Sequence, residues 1–192
     1  SFALNIAENV ATKTDKTVAI FSLEMSKESL VNRMLSAEAN VDNYTIRRAS
    51  FSTPEWEAIT MACSTLSNTR IYIDDTPSTT TTDMKAKLRR LDNPKIVIID
   101  YLQLIECDKY SDNKVLQVAE ITRSLKLIAK EMKIPIILCS QLSRPNKNVK
   151  EKRPMLSDLR DSGAIEQDAD IVMLLYRDDY YDNSGNADQD PT

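Results

Sequence analysis

The chain has 192 residues, 42% hydrophobic and 28% charged, which fits one globular domain with a sizeable core. Its 25 Lys and Arg against 29 Asp and Glu give a formal charge of −4, which excludes a strongly basic binder that attracts nucleic acid over its whole surface and leaves contact through a local loop open. There is no histidine, and Cys63, Cys107 and Cys139 form no C-x-x-C pair, so neither a zinc site of the usual kind nor a disulfide scaffold is expected; each thiol has apolar neighbours and reads as a small buried side chain.

Residues 2–11 carry apolar side chains at Phe2, Leu4, Ile6, Ala7 and Val10 and read as a helix already under way, with no capping residue before it. An uncapped start predicts that a segment precedes Ser1. Residues 17–21 form a short apolar strand. Ser26 then reads as the N-cap of a helix through Leu30, Met34 and Leu35. Residues 40–53 are a polar connection with a helical turn at 44–48. Thr53 as cap and Pro54 at the first helical position open a helix to Leu66. A second strand is expected at 70–74, a turn at 75–78 and a helix at 79–91. Residues 95–100 form a third strand whose Ile96–Ile99 core shows no alternation, as in the middle of a parallel sheet. After a polar loop at 108–113 comes an amphipathic helix at 115–132. A fourth strand at 134–139, a basic loop at 144–153, short helical turns at 158–167 and a fifth strand at 170–176 complete the pattern. The acidic stretch from Arg177 reads as a loop. Strands alternating with helices predict an α/β fold with a mostly parallel central sheet flanked by helices on both faces. No signal-peptide pattern and no apolar run of about 18 residues is present, so a cytoplasmic protein with no membrane contact is expected.

Three strands are followed by polar residues at the edge where open α/β sheets bind ligands. Asp100 ends the third strand, where a carboxylate can hold the Mg²⁺ shell beside phosphates; a turn-starting aspartate is the alternative. Glu24 follows the first strand and can polarise a water for attack on a terminal phosphate; an acid that merely favours a helix N-terminus is the alternative. Gln141 follows the fourth strand and can hydrogen-bond a γ-phosphate or the attacking water; it also fits an ordinary loop. Their coincidence on three strands favours a phosphoryl-transfer site. Arg160, Ser162 and Gly163 form a polar break suited to phosphates of a single strand, with Lys147, Lys150, Lys152 and Arg153 upstream; Glu151, Asp158 and Asp161 balance them if the loop is simply solvated. The phosphate-cradling motif G-x-x-x-x-G-K-[ST] is not present, because the two glycines, Gly163 and Gly185, stand outside any such pattern.

The stretches 1–7, 21–26, 71–77, 98–105, 140–144, 157–170 and 175–181 together resemble the carboxy-terminal domain of the DnaB-like hexameric replicative helicases. The block Ser157-Asp-Leu-Arg-Asp-Ser-Gly-Ala-Ile-Glu-Gln-Asp-Ala-Asp170 with the Glu24 and Asp100 blocks is far more specific than a strand ending in aspartate. The resemblance implies a RecA-like P-loop NTPase core. It implies a ring of six that encircles single-stranded DNA and moves 5′ to 3′ by hydrolysing ATP or another NTP with Mg²⁺, with primase and helicase-loader partners. It gives water activation to Glu24, the metal to Asp100, γ-phosphate sensing to Gln141, and DNA-backbone contact to Arg160, Asp161 and Gly163. By the same comparison, 1–192 is a single motor domain truncated at both ends. The phosphate loop lies just upstream of Ser1, and a basic segment that serves a neighbour's nucleotide lies beyond Thr192. The chain by itself is then expected to be inactive. A recombinase-type ATPase of the same fold is the alternative, against which the 157–170 block speaks. A non-catalytic binding module fits if the chain is complete.

Overall fold

The computed structural model describes residues 2–107, 109–110, 113–142, 153–159 and 163–177. In chain order these form α1 (Phe2–Lys13), β1 (Thr17–Ser22), α2 (Lys27–Ala39), α3 (Asn43–Arg48), α4 (Thr53–Ser67), β2 (Ile71–Asp74), α5 (Thr81–Leu88), β3 (Pro94–Asp100), α6 (Lys114–Met132), β4 (Ile136–Leu138) and α7 (Gly163–Asp168), with 3-10 turns at Leu102–Leu104 and Leu156–Asp158. The four strands make one sheet in the order β2-β1-β3-β4, and every pairing is parallel.

Side chains of successive strand residues point to opposite faces, and both faces are covered. Val18, Ile20, Ile96 and Ile98 pack with Leu4, Ala7 and Ala11 of α1 and Leu30 of α2. Ala19, Phe21, Val97 and Ile99 face the other way, onto Met84 and Leu88 of α5, Val118, Ile121, Leu125 and Ile128 of α6, and Ile165 of α7. The unbroken apolar runs of β1 and β3 therefore have two cores to fill. The chain leaves β1 across the α2 face and leaves β3 across the α6 face. The carboxyl edge between β1 and β3 is thus a topological switch point, from which the chain leaves toward opposite faces of the sheet.

Local chemistry explains most boundaries. The Ser26 hydroxyl accepts the Ser29 N–H at the start of α2. The helix ends at Asn40, whose φ of 52° suits asparagine better than most residues. The cap of α4 is Ser52 rather than Thr53: the Glu55 carboxylate accepts both the backbone N–H and the hydroxyl of Ser52, at 2.7 and 2.6 Å. β4 starts after Pro135, which has no N–H but whose carbonyl accepts the Val97 N–H at 3.0 Å.

The expected fifth strand does not form. Residues 171–177 alternate between exposed and half-buried, with Ile171, Met173 and Leu175 exposed and Val172 packed on the core. The two-residue period is there, but no neighbour among the described residues offers a ladder, and a strand needs one. Of the cysteines, Cys107 and Cys139 are half-buried and Cys63 is exposed on α4, so burial fails as a reading of Cys63. Among the described residues, no helix is long and apolar enough to cross a membrane.

Two carboxylates are held away from their ordinary ionisation in opposite directions. Asp74, at the end of β2, is buried, which works to raise its pKa. The Lys87 ammonium at 2.6 Å and the Thr76 N–H at 3.0 Å outweigh that burial and hold the group at about 2. Glu8 on α1 is 6% exposed, and its Oε1 has no hydrogen-bond partner among the described residues. Burial first, and then the charge and hydrogen bond of Glu38 on α2, push it up to about 7.

The value of Asp74 is lowered on folding, so its stabilisation of roughly 2 kcal/mol is present above about pH 4 and is lost as pH falls toward 2. Asp74→Asn is expected to lower the unfolding free energy at pH 7 by about that amount and to leave it nearly unchanged at pH 2, measured by denaturant titration. The value of Glu8 is raised on folding, so stability falls as pH rises from about 4.5 to about 7. Glu8→Gln is expected to stabilise the fold at pH 8 by up to about 3 kcal/mol and hardly at all at pH 4. Equal midpoints for wild type and Glu8→Gln at pH 8 would contradict the buried-acid account.

Candidate functional site

The site is built on the ends of β1, β3 and β4. Ser22 stands opposite Asp100 in the parallel register, and the Leu23 N–H donates to the Asp100 carbonyl at 2.9 Å, one step beyond the strand. Glu24 is the next residue. Its turn is closed by the Ser22 hydroxyl, 1% exposed, which donates to the Met25 carbonyl at 2.6 Å. The turn then enters α2, whose Lys27 N–H donates to Asp75 at 3.0 Å. Asp75 follows Asp74 at the end of β2, so the network around Asp74 also locates this cap. The backbone of Glu24 is thereby fixed from both sides while its side chain is exposed.

Asp100 is half-buried at the end of β3, and the Asp100–Tyr101 peptide is cis. The pairing of β3 with β4 continues past both strands: the Cys139 N–H donates to Ile99 and the Leu102 N–H to Cys139, each at 2.9 Å. Burial, and then the negative charge of Asp100, push the Cys139 thiol up to about 11. A thiol held protonated is a poor nucleophile, so Cys139 does not compete for a catalytic role at this edge.

Gln141 follows two residues after Cys139 and is exposed. A neighbour that sequence reasoning passed over holds its backbone. The Gln103 side-chain amide donates to the Ser140 hydroxyl at 3.0 Å and to the Gln141 carbonyl at 3.4 Å, and its oxygen accepts the Gln141 N–H at 3.3 Å. Gln103, Ser140, Ser22 and Asp75 all escaped the sequence reading. Each is a common loop or turn residue, and no spacing rule pairs residues 37 positions apart. The signal available was that Gln103 and Ser140 stand inside the two motif blocks around residues 98–105 and 140–144.

Glu24, Asp100 and Gln141 therefore follow three adjacent parallel strands at one edge. Among the described residues, no group of three or more His, Cys, Asp or Glu side chains is arranged to hold a metal ion. A closed all-protein metal cage does not fit. A Mg²⁺ ion that keeps several waters and brings phosphate oxygens needs only one or two carboxylates, and a single half-exposed Asp100 fits that donor set.

Arg160 and Asp161 lie outside the described residues, as do Ser162, Lys147, Lys150 and Lys152. Gly163 opens α7. α7 is tied to α6 by the Thr122 hydroxyl, which donates to Asp168 at 2.6 Å, and residue 170 by the Lys126–Asp170 pair. The residue after Gln141 is linked toward this region: Leu142 and Leu159 form an antiparallel bridge. Arg153 lies over the Tyr176 ring at 5.5 Å.

The family model described as the DnaB-like helicase C terminal domain matches residues 1–191. The chain is 54% identical over 186 residues to the replicative DNA helicase DnaC of Bacillus subtilis, covering 95% of this chain and 41% of that protein. It is 54% identical over 185 residues to the replicative DNA helicase DnaB of Geobacillus stearothermophilus, covering 94% and 41%. Among solved structures, a DnaB-like replicative helicase, studied with its interactions with primase, superposes with a TM-score of 0.89 at 39% identity, over 97% of this chain and 46% of that one. A separately solved ATPase domain gives 0.88 at 39% identity, over 96% and 67%. The chain spans about two fifths of the length of the curated relatives it matches. A RecA-like sheet with this edge, matched from end to end by one family model, places the chain in the DnaB-like helicase C-terminal domain family.

Proposed function

We propose that this chain is the motor domain of an ATP-driven replicative DNA helicase, which couples Mg²⁺–NTP hydrolysis to 5′ to 3′ movement along single-stranded DNA. The observation that carries the reading is the level ending of β1 and β3, with Ser22 opposite Asp100, and the continuation of β3–β4 pairing to Cys139. It brings an acid, a second acid and an amide to one open edge at the switch point, which suits phosphoryl transfer. The family supports the remainder: a homohexamer in the bacterial cytoplasm, with primase and a loader as partners.

Bound Mg²⁺ would neutralise charge on the β- and γ-phosphates. Asp100 would accept hydrogen bonds from that ion's water shell or ligate it directly. Glu24 would orient the attacking water and take its proton, which its fixed turn and exposed carboxylate allow. Gln141 would hydrogen-bond the γ-phosphate or the water, and lose that bond after hydrolysis. The phosphate-cradling loop that such chemistry needs is not among the 192 residues, and we assign it to the full-length protein. Arg160, Asp161 and Gly163 would contact the DNA backbone. At Gly163 an added Cβ meets nothing within 4 Å, so packing within the described fold does not call for glycine there; close approach of a strand's phosphates would.

In the full-length protein, Glu24→Gln is expected to leave nucleotide affinity within about twofold and to slow steady-state phosphate release by about 100-fold or more, in line with a lost general base worth about 10²–10⁴. Phosphate release at the wild-type rate would remove Glu24 from the chemistry. Arg160→Ala is expected to weaken single-stranded DNA binding and to reduce the slope of log K against log salt by about 1, as one phosphate contact requires. Superimposable isotherms from low to high salt would show that the arginine does not touch the backbone.

A further inference from the structure

The side chain of Gln103 makes a closed hydrogen-bonded ring with the backbone of the β4 edge. Its Nε2 donates to the Ser140 hydroxyl at 3.0 Å and reaches the Gln141 carbonyl at 3.4 Å. The Ser140 hydroxyl is itself 3.4 Å from that carbonyl, and the Gln141 N–H returns to Gln103 Oε1 at 3.3 Å. Donor and acceptor ends of one amide are both used, on the same residue's N–H and C=O. Gln103 sits in the 3-10 turn Leu102–Leu104, three residues after Asp100, and Leu102 is bonded to Cys139 by its own N–H at 2.9 Å. The turn that starts at the metal-side carboxylate and the loop that carries Gln141 are therefore joined twice, once by backbone and once by this side chain.

We propose that Gln103 is a positioning residue for the hydrolytic reaction, setting the direction in which the Gln141 side chain leaves the sheet edge relative to Asp100. The inference rests on the phosphoryl-transfer reading of Glu24, Asp100 and Gln141. The physical reason is that Gln141 is exposed and lies beyond the last strand residue of β4, Leu138, so no ladder fixes its φ and ψ. Without the Gln103 amide, the loop would be anchored by the bonds at Cys139, two residues before Gln141, and by the Leu142–Leu159 bridge after it, with nothing holding Gln141 itself. An amide that acts on a γ-phosphate must be held to within a fraction of an ångström, and a shift of about 1 Å costs on the order of 10²-fold in rate. Leu142, the next residue, bridges to Leu159, so the clamp also sets the start of that bridge.

The test is a double-mutant cycle on turnover in the full-length protein, with Mg²⁺–ATP and single-stranded DNA. Gln103→Met keeps the length of the side chain and removes every bond; Gln141→Ala removes the group it positions. Gln103→Met is expected to lower kcat about tenfold with KM for ATP within about twofold. Gln103→Met should cost little on the Gln141→Ala background, because the group it positions is already gone. Gln103→Glu keeps the acceptor for the Gln141 N–H and loses the donor to the Ser140 hydroxyl and the Gln141 carbonyl, and should recover only part of the loss. Should Gln103→Met fail to fold, the same cycle is run with Gln103→Glu. Losses that multiply independently, or a Gln103→Met enzyme within about twofold of wild type, overturn the positioning role. A wild-type protein that does not hydrolyse ATP, or a Gln141→Ala variant with unchanged turnover, instead overturns the reading of the site on which this role depends.

Discussion

The parallel pairing of β1 with β3 is the constraint from which the rest of the molecule follows. Val18, Ile20, Phe21, Val97, Ile98 and Ile99 are all essentially removed from water, each stabilising the fold by roughly 1.5–3 kcal/mol through apolar burial. Their alternation assigns Val18, Ile20 and Ile98 to the core under α1 and α2, and Phe21, Val97 and Ile99 to the core under α5 and α6. A slip of one residue would exchange the two sets, so the register is held from both sides. The same register sets Ser22 opposite Asp100, and the candidate functional edge is a consequence of core packing.

Beyond the strands, polar groups take over from the cores. Ser22 closes the Glu24 turn, Asp75 holds the start of α2, and Gln103 holds the Gln141 loop. These bonds lie outside any helix or sheet ladder, and each contributes modestly, on the order of 1 kcal/mol net. Their value is directional. They leave Glu24 and Gln141 exposed with a fixed backbone, which is what groups that act on a bound phosphate require.

The parts of the fold legible in the sequence were those with a strong local signal. The apolar runs of β1 and β3 could only be central strands, the Ser26 cap and the amphipathic period of α6 announced their helices, and Asp100 at a strand end announced the edge. The 170–176 segment carried a strand-like composition and failed, because pairing is a property of two segments and composition describes one. The cap at Ser52 was missed because Thr53 is an equally good capping residue one position later, and only the Glu55 bonds decide between them. Cys63 has apolar neighbours in sequence but sits on an exposed face of α4, where neighbours three and four residues away matter more than adjacent ones. Glu24, Asp100 and Gln141 were visible as residues that follow strands. Gln103 was not, since its partners are 37 and 38 residues away and nothing in its own segment points to them.

The central claim is that one edge of this sheet, at the ends of β1, β3 and β4, receives the nucleotide. A structure of the full-length protein with Mg²⁺ and a non-hydrolysable ATP analogue tests it most directly. The account predicts density for the metal against Asp100, directly or through one water, with the γ-phosphate within reach of both Glu24 and Gln141. A nucleotide bound with its terminal phosphate away from Asp100, or a metal held by other side chains, would contradict it.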